Sequence, residues 1–321
     1  MNTRAFRRSS TVCLLALSFV LALAASPSEG QLQTVARVNL RPTVSSVEFN
    51  SNAFIAKADV EYGTVGESKL TLDAYVPADT TKKHPALVLI HGGSWVAGDK
   101  QFYAPMGQAL AQRGYSAFSI NYRLVTKTAN KYPAQLDDAQ RAVRWIRAHA
   151  DEYGVDPTRI GALGDSAGGY LAAFLGTRDT RDNSDASLAA HSSRVQCVVD
   201  FYGPTDLTVS PEETSKSNPI AVNIVKNFLG KTPEEAPALY KESSPITYVD
   251  KQSAPFLIVH GTKDWLVPPS QSERLYDALH SAGVPATLLQ GYKLDHAFLK
   301  PANPETFGAL AFEFFDRILK P

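Results

Sequence analysis

The stretch RIGALGDSAGGYLAAF, residues 159–174, places Ser166 between glycines, directly after an apolar run and directly before a helix-like one. Its centre, residues 164–168, fits the pattern G-x-S-x-G, in which a sharp strand-to-helix turn exposes the serine hydroxyl. Glycine-rich turns of this kind also bind phosphate at the start of a helix, but such a loop is expected to carry a lysine or more glycines. The stretch therefore predicts a nucleophilic serine at the end of a buried strand.

Runs typical of strands and helices alternate on both sides of this turn. Residues 86–91, ALVLIH, are almost continuously apolar, as in a strand covered on both faces. Residues 133–157 repeat apolar side chains at helical spacing, and 270–283 open with Ser270-x-x-Glu273, a capping box. This alternation predicts an α/β fold with a mostly parallel eight-stranded sheet flanked by helices. Further predicted strands lie at 69–77, 115–122, 159–165, 195–202, 255–261 and 286–291.

One long connection interrupts this alternation. Residues 204–253 separate two predicted strands and contain six prolines. A connection of this length in a compact domain usually has a structural or functional role. We therefore expect residues 25–321 to form one catalytic domain in which 204–253 build a small cap or pocket wall.

The N-terminus has the pattern of a secretory signal peptide. Arg4, Arg7 and Arg8 precede an apolar run, and small residues follow it near position 24. A membrane anchor is the alternative, but the run is short for a membrane-spanning helix. We expect residues 1–24 to be removed, giving a secreted or periplasmic protein without stable membrane anchoring. Cys197 is then the only cysteine, which excludes an internal disulfide bond.

Charge and residue clustering exclude several classes of function. Lysine plus arginine equals aspartate plus glutamate, at 32 each, so no basic footprint indicates a nucleic-acid partner. No Cys/His cluster has zinc-ligand spacing, and Asp179, Asp182 and Asp185 do not match a calcium loop. The sequence therefore predicts no metal ion and no organic cofactor.

A serine nucleophile needs a base and a carboxylate that orients the base. His296, in GYKLDHAF, follows the last predicted strand, and Asp264, in VHGTKDWLVP, follows the strand at 255–261. Both therefore lie at the carboxyl end of the sheet, as Ser166 does. Asp206 is the rival carboxylate, but the order Ser166, Asp264, His296 is the one expected for this turn motif.

A fourth group of residues can stabilise negative charge. The stretch HGGSW, residues 91–95, follows another buried strand. Backbone N–H groups of Gly93, Ser94 and Ala167 are predicted to form an oxyanion hole. A plain tight turn is the alternative for 91–95, but four parts in the expected order on the expected strand ends favour nucleophilic catalysis.

At these residues the chain resembles the α/β-hydrolase superfamily, in the secreted carboxylesterase branch of feruloyl-esterase-like and hormone-sensitive-lipase-like enzymes. HGGSW, GDSAGGYLAAF, VVDFYGPTDL, HGTKDWLVP and LDHAF carry the resemblance, which runs from about residue 55 to 318. It implies hydrolysis of carboxylic esters through Ser166, His296 and Asp264. Ser94 departs from the lipase-like pattern, where a third glycine is usual. An arylformamidase-like amide hydrolase and a non-catalytic binding protein of the same fold are the alternatives.

Aromatic residues near the expected site indicate the substrate. Trp95, Tyr103 and Trp265 are predicted substrate contacts, although aromatic residues at strand ends are also common in cores. Since no long apolar lid helix is evident, we expect short-chain or aromatic esters rather than lipids. These include acetyl or feruloyl groups on plant polysaccharide, and polyesters. The expected binding partner is thus a small-molecule or polymer-borne ester substrate. The sequence does not indicate the oligomeric state.

Overall fold

The computed structural model describes residues 34–38, 52–79, 81–209, 218–296, 298 and 308–320. The predicted signal peptide lies outside them. Residues Gln31–Pro321 form one compact unit. The strands are β1 (Thr34–Val38), β2 (Phe54–Val65), β3 (Ser68–Pro77), β4 (His84–Ile90), β5 (Ser116–Ile120), β6 (Val155–Asp165), β7 (Cys197–Phe201), β8 (Phe256–Gly261) and β9 (Ala286–Gly291).

These strands form a single sheet with the order β1-β9-β8-β7-β6-β4-β5-β3-β2. The β2–β3 and β3–β5 pairs are antiparallel and all other pairs are parallel. The predicted mostly parallel sheet is therefore confirmed: the seven strands whose positions were predicted are β3 to β9, and β2, at a position that was not predicted, brings them to eight. Strand β1 adds a ninth strand at the edge beside β9, and its short run at 34–38 was not predicted.

Helices cover both faces of this sheet. They are α1 (Ala104–Gln112), α2 (Ala134–Ala148), α3 (Ala167–Thr177), α4 (Pro219–Leu229), α5 (Pro237–Glu242), α6 (Ser270–Ser281) and α7 (Gly308–Leu319). Because side chains alternate along β4, Val88 packs in the core with α2, α3 and α6, whereas Leu89 packs in the core with α1 and α7. The doubly covered sheet predicted from the continuous apolar runs is thus present.

The start of α6 differs from the prediction. The helix begins at Ser270, and its N-cap residue is Pro269, which makes no side-chain capping hydrogen bond. Ser270 is therefore the first helical residue and not the cap. Glu273 accepts a hydrogen bond from Gln290 Nε2 on β9 at 2.7 Å, so its carboxylate serves the contact between helix and sheet.

The long connection at 204–253 contains α4, α5 and a short 3₁₀ helix at Pro245–Tyr248. Helix α4 is held to the body by backbone and ring contacts: Tyr132 N donates to Phe228 O at 3.0 Å, and the Phe228 ring stacks on Trp95 with 4.0 Å between centroids. Asn218 caps the helix by accepting from Ile220 N at 2.9 Å. Helix α4 is thereby fixed over the carboxyl ends of the central strands.

Candidate active site

Ser166 occupies a strained turn between β6 and α3. Its backbone angles are φ 50° and ψ −118°, a region that non-glycine residues rarely adopt. Its N–H donates to Phe201 O at the end of β7, at 2.8 Å, and holds the turn. Strain of this kind costs about 1–3 kcal/mol and persists at functional sites.

The glycines around Ser166 are required by close backbone packing. A Cβ at Gly168 would overlap the carbonyl oxygen of Ile90, and a Cβ at Gly164 would overlap the backbone of Gly168. A side chain at either position would push β4 or α3 away from the turn. The geometry accounts for the glycines on both sides of the serine.

The three residues predicted to act together form a chain of two hydrogen-bond contacts with His296 in the middle. Ser166 Oγ is 3.0 Å from His296 Nε2, and His296 Nδ1 is 2.8 Å from Asp264 Oδ2. The rival Asp206 makes other contacts: its Oδ1 accepts from Thr208 N at 3.0 Å. The Ser166–His296–Asp264 chain therefore has the contacts that proton transfer through an oriented imidazole requires.

The Asp264 carboxylate is buried and accepts N–H groups on both oxygens. Its side chain is 0% exposed, and Oδ2 also lies 3.2 Å from His260 Nε2. Oδ1 accepts from the backbone N–H of Leu266 at 2.9 Å and of Val267 at 2.8 Å. Burial by itself would raise the pKa of Asp264, but hydrogen bonds from His260 and His296 outweigh it and hold the pKa well below its usual range. Asp264 is thus an anion throughout the physiological pH range.

The loop after β4, which is predicted to supply N–H groups to an oxyanion hole, turns sharply. Gly93, Ser94 and Trp95 have consecutive positive φ values of 112°, 55° and 62°, and Val96 N donates to Gly93 O at 3.0 Å. Ala167 is the first residue of α3, so its N–H has no acceptor within the helix. Ser94 and Ala167 line the same pocket as Ser166.

Asp165 connects this loop to the serine turn, a role that was not predicted. Its buried carboxylate accepts from Gly92 N at 3.0 Å and from the Tyr103 hydroxyl at 2.8 Å. Desolvation dominates over these hydrogen bonds and raises the pKa of Asp165 to about 6. The G-x-S-x-G pattern does not predict this role of Asp165, because it allows any residue at that position and the partner Gly92 is distant in sequence.

The raised pKa gives Asp165 a testable effect on stability. Its pKa in the folded protein, about 6, exceeds the unfolded value of about 3.9, so the folded state binds more protons between these values. The contribution of Asp165 to the free energy of unfolding therefore falls as the pH rises from about 4 to about 6, by on the order of 3 kcal/mol. In Asp165→Asn the decline is expected to be absent. Urea unfolding of the wild type and of Asp165→Asn at pH values from 4 to 8 measures the free energy of unfolding as a function of pH. If the two curves run parallel, the raised pKa of Asp165 is wrong.

An apolar pocket opens beside Ser166 beneath the connection that was predicted as a pocket wall. The cavity itself has a volume of about 90 Å³, smaller than typical small-molecule sites of about 300–1,000 Å³. Helix α4 supplies one wall and the loop after Asp264 another. The lining includes Trp95, Asp206, Leu207, Val222, Val225 and Leu266.

The three aromatic residues predicted as substrate contacts differ in position. Trp95 lines the pocket, although only 2% of it is exposed. Tyr103 is equally buried, and its hydroxyl donates to Asp165. It therefore stabilises the residue next to Ser166 and does not face the pocket. Trp265 is 56% exposed next to Asp264, outside the pocket lining. Of the three predicted substrate contacts, Trp95 alone lines this pocket.

The residues that the structure describes contain neither a metal-binding cluster nor a membrane-spanning helix. Among those residues no group of three or more His, Cys, Asp or Glu side chains is arranged to hold a metal ion. Nor does any described helix have the length and apolar character needed to cross a bilayer.

Comparison with known proteins identifies the family of this chain. The family model BD-FAE matches residues 72–279, which include Ser166 and Asp264. The chain belongs to the BD-FAE family. It is 32% identical to the probable carboxylic ester hydrolase LipM of Mycobacterium tuberculosis over 69% of this chain and 51% of that protein. The chain thus spans about half the length of the curated relatives it matches.

Solved structures of esterases share the fold. A truncated carbohydrate esterase from gut microbiota superposes with a TM-score of 0.71 at 28% identity, covering 85% of this chain and 99% of that one. A thermophilic esterase of Thermogutta terrifontis, Est2 with bound butyrate, gives a TM-score of 0.68 at 28% identity over 84% of this chain and 94% of its own. The α/β-hydrolase fold is therefore established, as the sequence resemblance implied.

Proposed function

We propose that this protein is a serine carboxylic ester hydrolase for short-chain or aromatic acyl groups. The observation that carries the proposal is the hydrogen-bonded chain from Ser166 Oγ through His296 to the buried anion Asp264. It ends at an apolar pocket. The names of LipM and of the structurally similar esterases support the same reaction class.

The geometry supports a two-step mechanism. Ser166 Oγ attacks the acyl carbonyl while His296 Nε2 takes the hydroxyl proton. Ala167 N–H and the N–H groups of Gly93 and Ser94 bind the developing oxyanion. His296 then protonates the leaving alkoxide, and water activated by the same imidazole hydrolyses the acyl-serine and regenerates Ser166. Every proton in this scheme moves through groups of this chain.

A substrate panel tests the proposal. Purified protein is assayed on 4-nitrophenyl acetate, methyl ferulate, an acetylated xylo-oligosaccharide and N-formylkynurenine, with Ser166→Ala as the control for background hydrolysis. Serine-dependent turnover of esters supports the proposal. Faster turnover of N-formylkynurenine than of every ester would instead assign an arylformamidase, and binding without turnover a non-catalytic protein.

The alcohol part of the substrate is proposed to extend from the pocket past Trp265. This side chain is 56% exposed beside Asp264, and Asn218 Nδ2 holds its backbone carbonyl at 2.8 Å. An exposed aromatic ring offers a flat apolar surface to a sugar or aromatic ring. Together with the likeness to a carbohydrate esterase, this supports acyl groups borne on polysaccharide, or polyesters, as substrates.

Secretion is proposed from the sequence pattern alone. The basic, apolar and small residues of 1–24 are those of a cleavable signal peptide. A secreted or periplasmic esterase would meet polymer-borne esters outside the cytoplasm. Mass spectrometry of the N-terminus after export from the native host tests cleavage near residue 24.

Acyl-chain length is expected to have a strong effect on rate. Each buried CH₂ contributes about 0.8 kcal/mol only while the pocket has room for it, and α4 closes the pocket with Val222 and Val225. Aryl acetate to butyrate should react best, and kcat/KM should fall steeply by octanoate. Val222→Phe should lower the butyrate-to-acetate ratio of kcat/KM, whereas Asn223→Ala, at an exposed position of the same helix, should not. A preference for palmitate would instead favour a lipase.

A further inference from the structure

A second histidine contacts the carboxylate that orients His296. His260, the penultimate residue of β8, is 1% exposed, and its Nε2 lies 3.2 Å from Asp264 Oδ2. The same carboxylate oxygen lies 2.8 Å from His296 Nδ1. Two imidazoles therefore converge on one oxygen of one buried anion.

The surroundings of His260 determine which of its ring atoms carries hydrogen. Nε2 faces two acceptors, Asp264 Oδ2 at 3.2 Å and Val267 O at 2.9 Å, so it must donate. Nδ1 is 2.6 Å from Ser272 Oγ on α6, whose hydroxyl can donate to it. A neutral ring with hydrogen on Nε2 accepts from Ser272 and shares its one N–H between Val267 O, the nearer acceptor, and Asp264 Oδ2.

We propose that His260 is a positioning residue for the Ser166–His296–Asp264 chain, acting through Asp264 rather than on substrate. Its Nε2–H fixes the carboxylate so that Oδ2 faces His296, and it withdraws part of the negative charge from that oxygen. Less charge on Oδ2 means weaker stabilisation of the imidazolium that forms on His296. This inference rests on the proposed function.

Other titratable groups surround this pair and stay in place when His260 is changed. The buried carboxyl of Asp200 on β7 interacts with His260, and Asp165 on β6 interacts with His296. The Tyr202 ring contacts both imidazoles, with centroids 6.4 Å from His260 and 4.9 Å from His296. Any substitution of His260 also removes its interaction with Asp200, so only a difference between two variants that both lack the imidazole is assigned to the contact with Asp264.

Two substitutions distinguish the effect of the hydrogen-bond donor from the effect of side-chain volume. In His260→Gln the amide nitrogen can occupy the Nε2 position and donate to Asp264, whereas His260→Met fills similar volume without a donor. We expect His260→Met to lower kcat on the order of 10-fold with KM unchanged, because the Asp264 carboxylate loses the contact that orients it toward His296 and the imidazole is held less accurately against Ser166. The acid limb of its kcat/KM profile should move to higher pH. His260→Gln should retain most of the activity and the wild-type profile.

Further variants keep the test decisive. His84→Gln is the matched control: His84 is also buried, but it lies at the start of β4, where its Nε2 is 2.8 Å from Asp79 O. Its pH profile should be that of the wild type. If His260→Met does not fold, Ser272→Ala, which frees Nδ1 and the ring orientation, should shift the acid limb in the same direction. Equal kcat and equal pH profiles in the Met and Gln variants, or in Ser272→Ala and wild type, would overturn the proposal.

The outcome also separates this inference from the proposed function. If Ser166→Ala is inactive while His260→Met is fully active, the proposed ester hydrolase stands and the role of His260 does not. If Ser166→Ala keeps wild-type turnover, the proposed function itself fails.

Discussion

Replacing Ser166 with alanine is expected to lower kcat by about 10⁴-fold or more, and His296→Ala by a similar factor, with both proteins folded. Ser166 Oγ and His296 Nε2 are 3.0 Å apart, and the hydroxyl is a weak nucleophile without the base. Because the two groups act as one unit, the double variant should be no slower than the single variants. Steady-state kinetics on aryl acetate, with circular dichroism to verify folding, measures the effect.

Matched controls exist for both substitutions. Ser184→Ala and His280→Ala change exposed residues of the same types, on the polar loop before β7 and on α6. Both should keep wild-type kcat. Near-normal turnover by Ser166→Ala or His296→Ala would contradict the mechanism, as would additive losses in the double variant.

The sequence predicted the central sheet because its signals there are local. Strands β4, β5, β7 and β8 are buried at every residue, so their continuous apolar runs could be read directly. Strand β2 is mostly exposed and offers no such run, which is why its bounds were not predicted. Since parallel strands end at one edge, the residues after β6, β8 and β9 could also be placed together from their order along the chain.

The supporting contacts of the site could not be predicted, because they join residues distant in sequence through buried polar atoms. The bond from Gly92 N to Asp165 spans two strands, and the pocket wall depends on how Phe228 on α4 stacks on Trp95. His260 ends a buried strand, a position typical of a structural residue, and only its distance to Asp264 reveals the contact. Tyr103 was placed in the pocket from its proximity in sequence, whereas its hydroxyl bonds Asp165.

Asp264→Asn is expected to lower kcat by about 10⁴-fold, although the side chain keeps its size. The carboxylate now accepts N–H groups on both oxygens, from Leu266 and Val267 on Oδ1 and from His296 and His260 on Oδ2. If the asparagine oxygen serves the backbone, its NH₂ group faces His296 Nδ1 and forces the tautomer with hydrogen on Nε2. That ring donates to Ser166 Oγ and can no longer accept its proton.

The opposite amide orientation does not restore the site. The asparagine oxygen would then accept from His296, but its NH₂ group would face the N–H groups of Leu266 and Val267 in a buried position, and an unsatisfied buried donor costs about 1–3 kcal/mol. We therefore expect Asp264→Asn to lose activity, stability or both. Asp206→Asn is the control, because Asp206 lines the same pocket but binds Thr208; its loss of kcat should be far smaller. A larger loss in Asp206→Asn than in Asp264→Asn would assign the orienting carboxylate to Asp206, since only the residue that fixes the imidazole tautomer can act through His296 on the Ser166 proton.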